Sequence, residues 1–420
     1  MAKVTKIDLI NVHNAAESLH VSPDTIRRWH KKGLIKATIG KNGERLFSKN
    51  EITRVLQKGS ASDVSWNVLT ASKSNLNSIE LFCGAGGLAL GMHNAGITSK
   101  LLVDFDKDSI NTILHNKPKW KSICASVLDI NLNEYENQID IMSGGFPCQA
   151  FSYAGKGLGF ADTRGTLFYE FARLIDQVKP KLVIGENVKG LRNHDEGRTL
   201  SVITTELENL GYNVAFKILR AQFLDVPQKR ERLIIFGVRK DLESEILFPL
   251  EKDYTITLRS ALENVPSSKG QTYTEQKKLL MQKIPEGGYW RDLPLDLQKK
   301  YMGGSFLLGG GKTGMARRLS WSEPSLTLTC NPAQKQTERC HPEETRPLTI
   351  REYARIQTFP DTWEFSGSVS SQYKQIGNAV PVNLGYHIGL AAREILGDHP
   401  KKSERPAKLI NKPLDDLTLF

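Results

Sequence analysis

Asp140-Ile141-Met142-Ser143-Gly144-Gly145-Phe146-Pro147-Cys148-Gln149 is the stretch that decides the reading of this chain. A short apolar run reads as a buried strand, two glycines end it, and Pro147 delivers a cysteine where the strand's carboxyl end opens into solvent. Open parallel sheets keep their ligand sites at that end. Proline fixes its own φ and pushes the preceding residue toward extended geometry, so Cys148 sits on a stiff loop with its thiol aimed by the backbone. Such a thiol is either a nucleophile or an ordinary half-buried cysteine in a turn, since cysteine is among the most buried residue types. The neighbouring strands discriminate between these readings.

Upstream, Ser78–Phe82 reads as a strand feeding into Cys83-Gly84-Ala85-Gly86-Gly87, after which Leu88, Leu90 and Met92 begin a helix. Glycines at that place let the backbone approach a ligand at a helix N-terminus, although the spacing is not the GxGxxG of dinucleotide sites. A second strand, Lys100–Val103, ends in Asp104-Phe105-Asp106, about 20 residues on, where an acid suits the hydroxyls of a ribose. A third is followed by Val127-Leu128-Asp129-Ile130. Glycine turn, ribose acid and a further acid, in that order, describe a pocket for a nucleoside without a pyrophosphate. Downstream, Lys181–Val188 is an apolar strand ending in Glu186-Asn187, which puts Glu186 beside Cys148 if the two strands are neighbours. Val226-Pro227-Gln228-Lys229-Arg230-Glu231-Arg232 then gathers basic residues at the start of the strand Leu233–Val238.

With 420 residues the chain exceeds one typical core, and two or three domains are expected. Its 39% hydrophobic and 25% charged residues are those of a soluble globular protein. The sequence contains no run near the roughly 18 apolar residues of a membrane span, and MAKVTKIDLI lacks the apolar core of a signal peptide. Five cysteines without a CxxC pair suggest neither a disulfide framework nor a structural zinc site, and no metal is expected. The net charge of +11 favours a polyanionic partner.

That charge is concentrated at the start. Residues 1–58 hold twelve Lys or Arg against five Asp or Glu. Val12, Ala15, Ala16 and Leu19 have helical spacing; Ser22 is a good N-cap with Pro23 at the first helical position; and Gly33 ends a second helix containing Thr25, Arg27, Arg28 and Trp29. Residues 41–47 read as a hairpin turn with its strand, and residues 49–56 as a third helix. This pattern resembles the winged helix-turn-helix of the MerR and excisionase class. The resemblance implies groove or phosphate contacts from Thr25, Arg27, Arg28, His30 and Lys31, and a wing contact from Arg45, while Ile26, Trp29, Leu34 and Ile52 read as small-domain core. The module either binds a promoter, its own among the candidates, or adds general DNA affinity. Residues 59–77, rich in Ser and Asn, read as a linker.

FCGAGG, VDFD, LDI, GGFPCQAFS, GENV, PQKRERL, RPLTIREYARIQTFP and QIGNAVP stand in the order of the motifs of the DNA cytosine-5 methyltransferases, over residues 79–390, and the chain resembles that family. The resemblance implies an α/β chain with the Rossmann-like fold of S-adenosylmethionine-dependent methyltransferases, joined to an irregular target recognition domain and the small N-terminal module. It also implies S-adenosyl-L-methionine as cofactor, double-stranded DNA as substrate, a flipped target cytosine, and the modification half of a restriction-modification system in a prokaryotic cytoplasm, at the nucleoid. The expected division is residues 1–58, linker 59–77, main catalytic part 78–240, recognition domain 241–345, returning catalytic part 346–400 and mobile tail 401–420, with a monomeric catalytic unit.

Cytosine carbon 5 is a poor nucleophile, so a thiolate must first add to carbon 6; free cysteine, with a pKa of about 8.5, is only slightly ionised at neutral pH. By resemblance, Cys148 makes that attack, Glu186 contacts N3 and the exocyclic amine, and Arg232 contacts the base, with Arg230 the alternative. Phe82, Gly84, Gly86 and Gly87 are expected to cradle the methionine part, Asp104 the ribose, Phe105 the adenine face, Asp129 and Ile130 its edge, and Asn378 to lie nearby unless it is a turn cap. Asp104 stands where the family usually has Glu, one methylene longer. The segment 149–162, with Ser152 and then Arg164, is expected to close over the DNA. Arg317, Arg318, Lys335 and Arg339 are candidates for reading bases in the major groove. A tRNA substrate and a regulator with a catalytically silent methyltransferase half are the rival readings; the long recognition interval and the helix-turn-helix weigh against the first, and Cys148 with Glu186 against the second.

Overall fold

A computed structural model describes residues 9–18, 23–31, 35–40, 43–49, 51–52, 64–147, 167–308, 312–401 and 409–411. Cys148, Ser152 and Arg164 lie outside the described residues, as do the side chains of Thr25, Arg28 and Lys31.

In the N-terminal module, β1 (Leu9–Asn11), β2 (Thr38–Ile39) and β3 (Arg45–Ser48) form an antiparallel sheet in the order β1-β3-β2, around α1 (Val12–Ser18) and α2 (Pro23–Lys31). Ala15, Ala16, Ile26, Ile35, Phe47 and Ile52 form its core, with Trp29 packed against them. Strand β1 was not expected. Its three residues are too few to show a period, and only pairing with β3 defines them.

The main body is a seven-stranded sheet made of β4 (Asn77–Leu81), β5 (Thr98–Asp104), β6 (Ser122–Cys124), β7 (Ile141–Gly144), β8 (Leu182–Val188), β9 (Tyr212–Arg220) and β11 (Glu231–Arg239), with the two-residue β10 (Gln228–Lys229) outside it. Its order is β6-β5-β4-β7-β8-β11-β9; β4 to β8 are mutually parallel and β11 runs antiparallel to both β8 and β9. The chain winds outward from β4 to β6 and then returns to begin again at β7, so the direction of winding switches between β4 and β7. Crevices form at such a switch point.

Apolar residues on both faces of the strands explain why helices cover both. On one face, α3 (Gly87–Asn94) and the later helix Val382–Ile395 pack over Ile141, Ile184 and Ile234. The first turn of α4 (Lys107–Asn116) is capped by Asp106, whose side chain accepts from Ser109 N. On the opposite face, α5 (Leu167–Val178) and α6 (Arg198–Asn209) bury Phe171, Ile175, Ile203 and Leu207 against Met142, Val183 and Leu233.

After the short strand β12 (Leu247–Pro249) the chain becomes irregular. Helices α7 (Leu258–Leu262), α8 (Glu275–Met281) and α9 (Leu295–Met302) and strand β13 (Ser325–Leu326) alternate with long turns. A small separate core of Met281, Ile284, Trp290, Leu293, Met302 and Met315 holds this region together. Arg318 and Arg339, expected to read bases, are buried instead: Arg318 donates to the carbonyls of Met281, Ile284 and His341, and Arg339 to that of Thr327. A region short of regular hydrogen bonds needs side-chain donors for its carbonyls, and arginine has five.

The chain then returns through α10 (Ile350–Ile356), α11 (Val369–Asn378) and α12 (Val382–Ile395). Helix α12 lies against α3 so closely that a Cβ on Gly91 would stand 2.6 Å from the Cα of Gly385.

Two boundary expectations need correction. Residues 64–76, read as linker, are tied to the body: Trp66 Nε1 donates to the Arg355 carbonyl, Leu69 N to Asn383 Oδ1, and Ser72 O accepts from Arg393. The polar composition of this segment hides two kinds of tie: these hydrogen bonds, and the packing of Val68, Leu69 and Leu76 against the cores of the body. Within the expected mobile tail, β14 (Leu409–Asn411) pairs with β12. Among the described residues no helix is long and apolar enough to cross a membrane.

Beneath the sheet, Asp225 joins several elements. Its carboxylate accepts from His387 Nε2 at 2.7 Å and from Tyr254 Oη at 2.6 Å, and forms an ion pair with Lys252. Burial works to raise the Asp225 carboxyl, but the hydrogen bonds from His387, Lys252 and Tyr254 outweigh it and hold the group below the usual carboxylate range. A depressed carboxylate stabilises the fold above its unfolded pKa of about 4, and that contribution fades as pH falls through the lower folded value. Asp225→Asn should therefore lose on the order of 3 kcal/mol in urea unfolding at pH 7, and the gap to wild type should narrow below about pH 4.

Candidate active site

A cavity of about 540 Å³ opens at the carboxyl ends of β4, β5, β7 and β8, with Asn378, Ala379 and Val380 forming its far wall. The glycine turn makes one side. Phe82 holds the left-handed conformation (φ 56°), Gly84 follows at φ 51° and Gly86 at φ 80°. A non-glycine residue in that conformation at a cavity wall is strain that surrounding contacts must hold. Phe82 and Gly84 line the cavity, but Gly86 and Gly87 do not. Gly87 is small for packing, because a Cβ there would stand 2.3 Å from the carbonyl oxygen of Val380.

Asp104 ends β5 with both oxygens engaged: Oδ2 accepts from Gly84 N and Oδ1 from Asp106 N, each at 2.8 Å. Burial raises its carboxyl and these two N–H groups oppose the rise. The carboxylate thus fixes the glycine turn while lining the cavity. Beside it the ring of Phe105 is 73% exposed, a bare aromatic face at the rim. Lys374 crosses the opening to pair with Asp106 at 3.2 Å.

The other end of the cavity belongs to β7, β8 and β11. Glu186 Oε1 lies 2.7 Å from Arg232 Nε, both side chains nearly buried. The antiparallel register sets Ile234 opposite Glu186, so Arg232 emerges on the same face one pair further along. Arg230 is committed elsewhere: its guanidinium is buried and donates to the carbonyls of Leu328, Gly377 and Ala379. Neither charge nor strand alternation separates these two arginines, which stand two residues apart; the carbonyls that converge on Arg230 do.

Asn187 was not singled out from the sequence, yet its Nδ2 donates to the carbonyl of Phe146 at 2.8 Å and so anchors the Gly145–Pro147 turn that leads to Cys148. A Cβ on Gly145 would come within 3.1 Å of Glu186 Oε2, so this turn runs directly beside the carboxylate. A polar residue next to Glu186 at a strand end was the available signal. Asn378 lies on the cavity wall, where Oδ1 accepts from Cys330 Sγ at 3.1 Å. Asp129 is exposed, and neither it nor Ile130 lines the cavity; the Ile130 carbonyl accepts from Arg173. Arg27 and Arg45 are exposed on α2 and β3.

Residues 76–394 match the C-5 cytosine-specific DNA methylase family. The chain belongs to that family. Residues 14–47 match the MerR family of regulatory proteins. The chain is 50% identical over 398 residues to the type II methyltransferase M.Eco47II of Escherichia coli, covering 92% of this chain and 95% of the relative. It is also 54% identical over 320 residues to M.Sau96I of Staphylococcus aureus, covering 74% of each. Among solved structures, a prophage-encoded protein of E. coli, titled a putative DNA modification methyltransferase, superposes with a TM-score of 0.58 at 23% identity, over 77% of this chain and 100% of its own. A Spodoptera frugiperda DNMT2 mutant does so at 0.54 and 17%, over 76% and 99%. These two share the fold.

The methylase transfers a methyl group from S-adenosylmethionine to carbon 5 of cytosine in DNA. The cavity fits that cofactor: it has a glycine turn at a helix N-terminus, a buried carboxylate at a strand end, an open aromatic face, and space at the switch point. When bound, the cofactor supplies an electrophilic methyl group; the chain's own groups bind and orient both reactants.

The glycines separate two kinds of constraint. Gly87→Ala drives a methyl into the Val380 carbonyl and should abolish cofactor binding in calorimetry and lower the melting temperature. Gly84→Ala meets open space but keeps a left-handed φ, so its cost should stay near 1 kcal/mol.

Proposed function

We propose that the chain is the modification enzyme of a type II restriction-modification pair, methylating one cytosine within a short duplex sequence, with Cys148 as nucleophile. The observation that carries this reading is the Glu186–Arg232 pair beside the Gly145–Pro147 turn, at the opposite end of the cavity from Asp104. That arrangement supports a flipped cytosine lying between Glu186 and the loop that bears Cys148. Glu186 then meets N3 and the exocyclic amine, and Arg232 holds the carboxylate in place and contacts the base. As sulfur bonds to carbon 6, the ring electrons move onto carbon 5, which takes the methyl. Loss of the carbon 5 proton then expels the thiolate and restores the ring.

In this reading Phe82, Gly84 and Asn378 border the methionine part, with Gly86 and Gly87 supporting the turn. Asp104 takes the ribose, Phe105 stacks on adenine, and Asp129 and Ile130 approach the adenine edge. Ser152 and Arg164 touch DNA near the flipped base. Residues 1–58 form the DNA-binding module, with Thr25, Arg27, Arg28 and Arg45 as contacts; residues 78–240 and 346–400 the catalytic domain; and 241–345 the recognition domain. The catalytic unit acts as a monomer in the cytoplasm, associated with the nucleoid. The MerR-type module supports control of the enzyme's own promoter.

Duplex DNA with 5-fluorocytosine at the target should trap a covalent complex, because fluorine cannot leave as a proton. An adduct that survives Cys148→Ala would remove the thiol from the mechanism. A chain beginning at residue 59 keeps the segment 64–76 that ties to the body, and should retain cofactor affinity while losing retention of promoter DNA in gel shifts. Equal promoter retention by both chains would refute autoregulation through this module.

A further inference from the structure

Of the four basic residues that the sequence offers as base readers, Arg318 and Arg339 hold carbonyls, and Arg317 is half-buried, 5.8 Å from the centre of the Tyr289 ring. Lys335 is exposed. It belongs to the loop 331–337, and the chain reaches that loop along the base side of the cavity. Strand β13 pairs with β10, just ahead of Arg232 on β11; Thr327 Oγ1 donates to the Lys229 carbonyl at 2.7 Å, and Leu328 N to Gln228 Oε1 at 2.9 Å. Two residues on, Cys330 Sγ donates to Asn378 Oδ1 on the cavity wall. The Thr329 carbonyl lies so close to Gly377 that a Cβ there would stand 2.4 Å from its oxygen. Lys335 follows Cys330 by five residues, so its Cα lies at most about 17 Å from this contact. Along a duplex, that is about five base pairs.

The loop is braced from beneath. Asn331 Oδ1 accepts from Ala333 N, the Pro332 carbonyl accepts from Arg339 N, and the hydroxyls of Thr329 and Thr337 meet at 3.1 Å across its base. Lys277 of α8 donates to the Ala333 carbonyl and pairs with the buried Glu338, which also accepts from Tyr273 Oη at 2.6 Å. Glu338 N donates to the Gly314 carbonyl, and a Cβ on Gly314 would stand 2.5 Å from the carbonyl oxygen of Gln336.

On this support Gln334, Lys335 and Gln336 are all exposed. Gln334 Oε1 accepts from Thr337 Oγ1 at 3.4 Å, whereas the Gln336 side chain has no hydrogen-bond partner among the described residues. Among the same residues Lys335 has no carboxylate partner, and its ammonium stands 5.0 Å from the centre of the Tyr301 ring on α9. A ring holds an exposed ammonium only weakly. An ammonium can donate to O6 and N7 of guanine, and an amide matches one donor and one acceptor on a base edge. Phosphate contact asks only for charge, but base reading asks for position, which the bracing supplies.

We propose that the loop 331–337 reads the methylated site in the major groove. Lys335 leaves the Tyr301 ring to donate to O6 and N7 of a guanine within about five base pairs of the target cytosine, and Gln336 reads the neighbouring pair. The inference rests on the assignment of residues 241–345 to DNA recognition, and it makes Lys335 and Gln336 specificity-determining residues.

Methylation kinetics of the full chain test this. Bisulfite sequencing of DNA treated with wild type defines the site. Duplexes with each base pair other than the target replaced in turn then give the discrimination at every position as a ratio of kcat/KM. Lys335→Ala should cut discrimination at one guanine by about tenfold or more, while the other positions and the affinity for S-adenosylmethionine in calorimetry stay within about twofold. Lys335→Arg, which keeps two donors, should retain the guanine. Lys335→Gln should shift the preference at that position toward adenine, and Gln336→Ala should relax an adjacent position. An equal loss at all positions, with a shallower salt dependence, overturns the proposal, because Lys335 would then contact phosphate only. Discrimination unchanged at every position overturns it as well. If Lys335→Ala does not fold, Lys335→Gln decides, and the absence of any shift toward adenine overturns the proposal. Wild type that binds S-adenosylmethionine but methylates no duplex overturns the proposed function and this inference with it.

Discussion

The cavity exists because the end of the chain comes back to its beginning without a side chain in between. Helix α12 lies on α3 through Gly91 and Gly385, and the Val380 carbonyl sits where a Cβ of Gly87 would be. Backbone against backbone leaves no slack, so the segment Asn378–Val380 is placed over the carboxyl end of β4 to within the tolerance of van der Waals contact. Arg230 secures the same segment from the other side by donating to the carbonyls of Gly377 and Ala379, and to Leu328 in the irregular region. One buried guanidinium thus joins the end of the sheet, the irregular region and the returning helices.

Around that closure, charges are divided by function and by position. Asp225 gathers His387 Nε2, Lys252 and Tyr254 around one buried carboxylate, so its charge is matched by three donors. Asp104 has its oxygens filled by backbone N–H groups and holds the glycine turn. Glu186 is neutralised by Arg232. Lys335 stands apart over the Tyr301 ring, with no carboxylate partner among the described residues.

Much of the site was legible because parallel strands announce their ends. An apolar run stopping at Asp104, at Gly144-Gly145 or at Glu186 marks a place where the backbone leaves the core, and polar residues found there line a crevice. Other features were not legible for specific reasons. Arg230 and Arg232 are two residues apart with the same charge, and local sequence does not reveal that carbonyls from Leu328 and Gly377 converge on the first. Arg318 and Arg339 looked like base readers because arginine is usually exposed, but a region poor in regular structure recruits it to satisfy carbonyls. The segment 64–76 looked like a linker because Ser and Asn build no core, yet its backbone groups find partners on Asn383 and Arg393.

The amino-acid sequence by itself determined the family, the α/β class, the identity of the cofactor and the order of the strand ends that carry polar residues, because hydrophobic period, glycine placement and motif order are local properties. Only the tertiary structure decided which strands are neighbours, that Glu186 faces Arg232, and that Asp104 braces Gly84. Those facts depend on register and on contacts between residues hundreds of positions apart. The stiff turn ahead of Cys148 shows the division well: Pro147 sets its direction from within the sequence, while Asn187 and Glu186, brought in by the neighbouring strand, set what stands beside it.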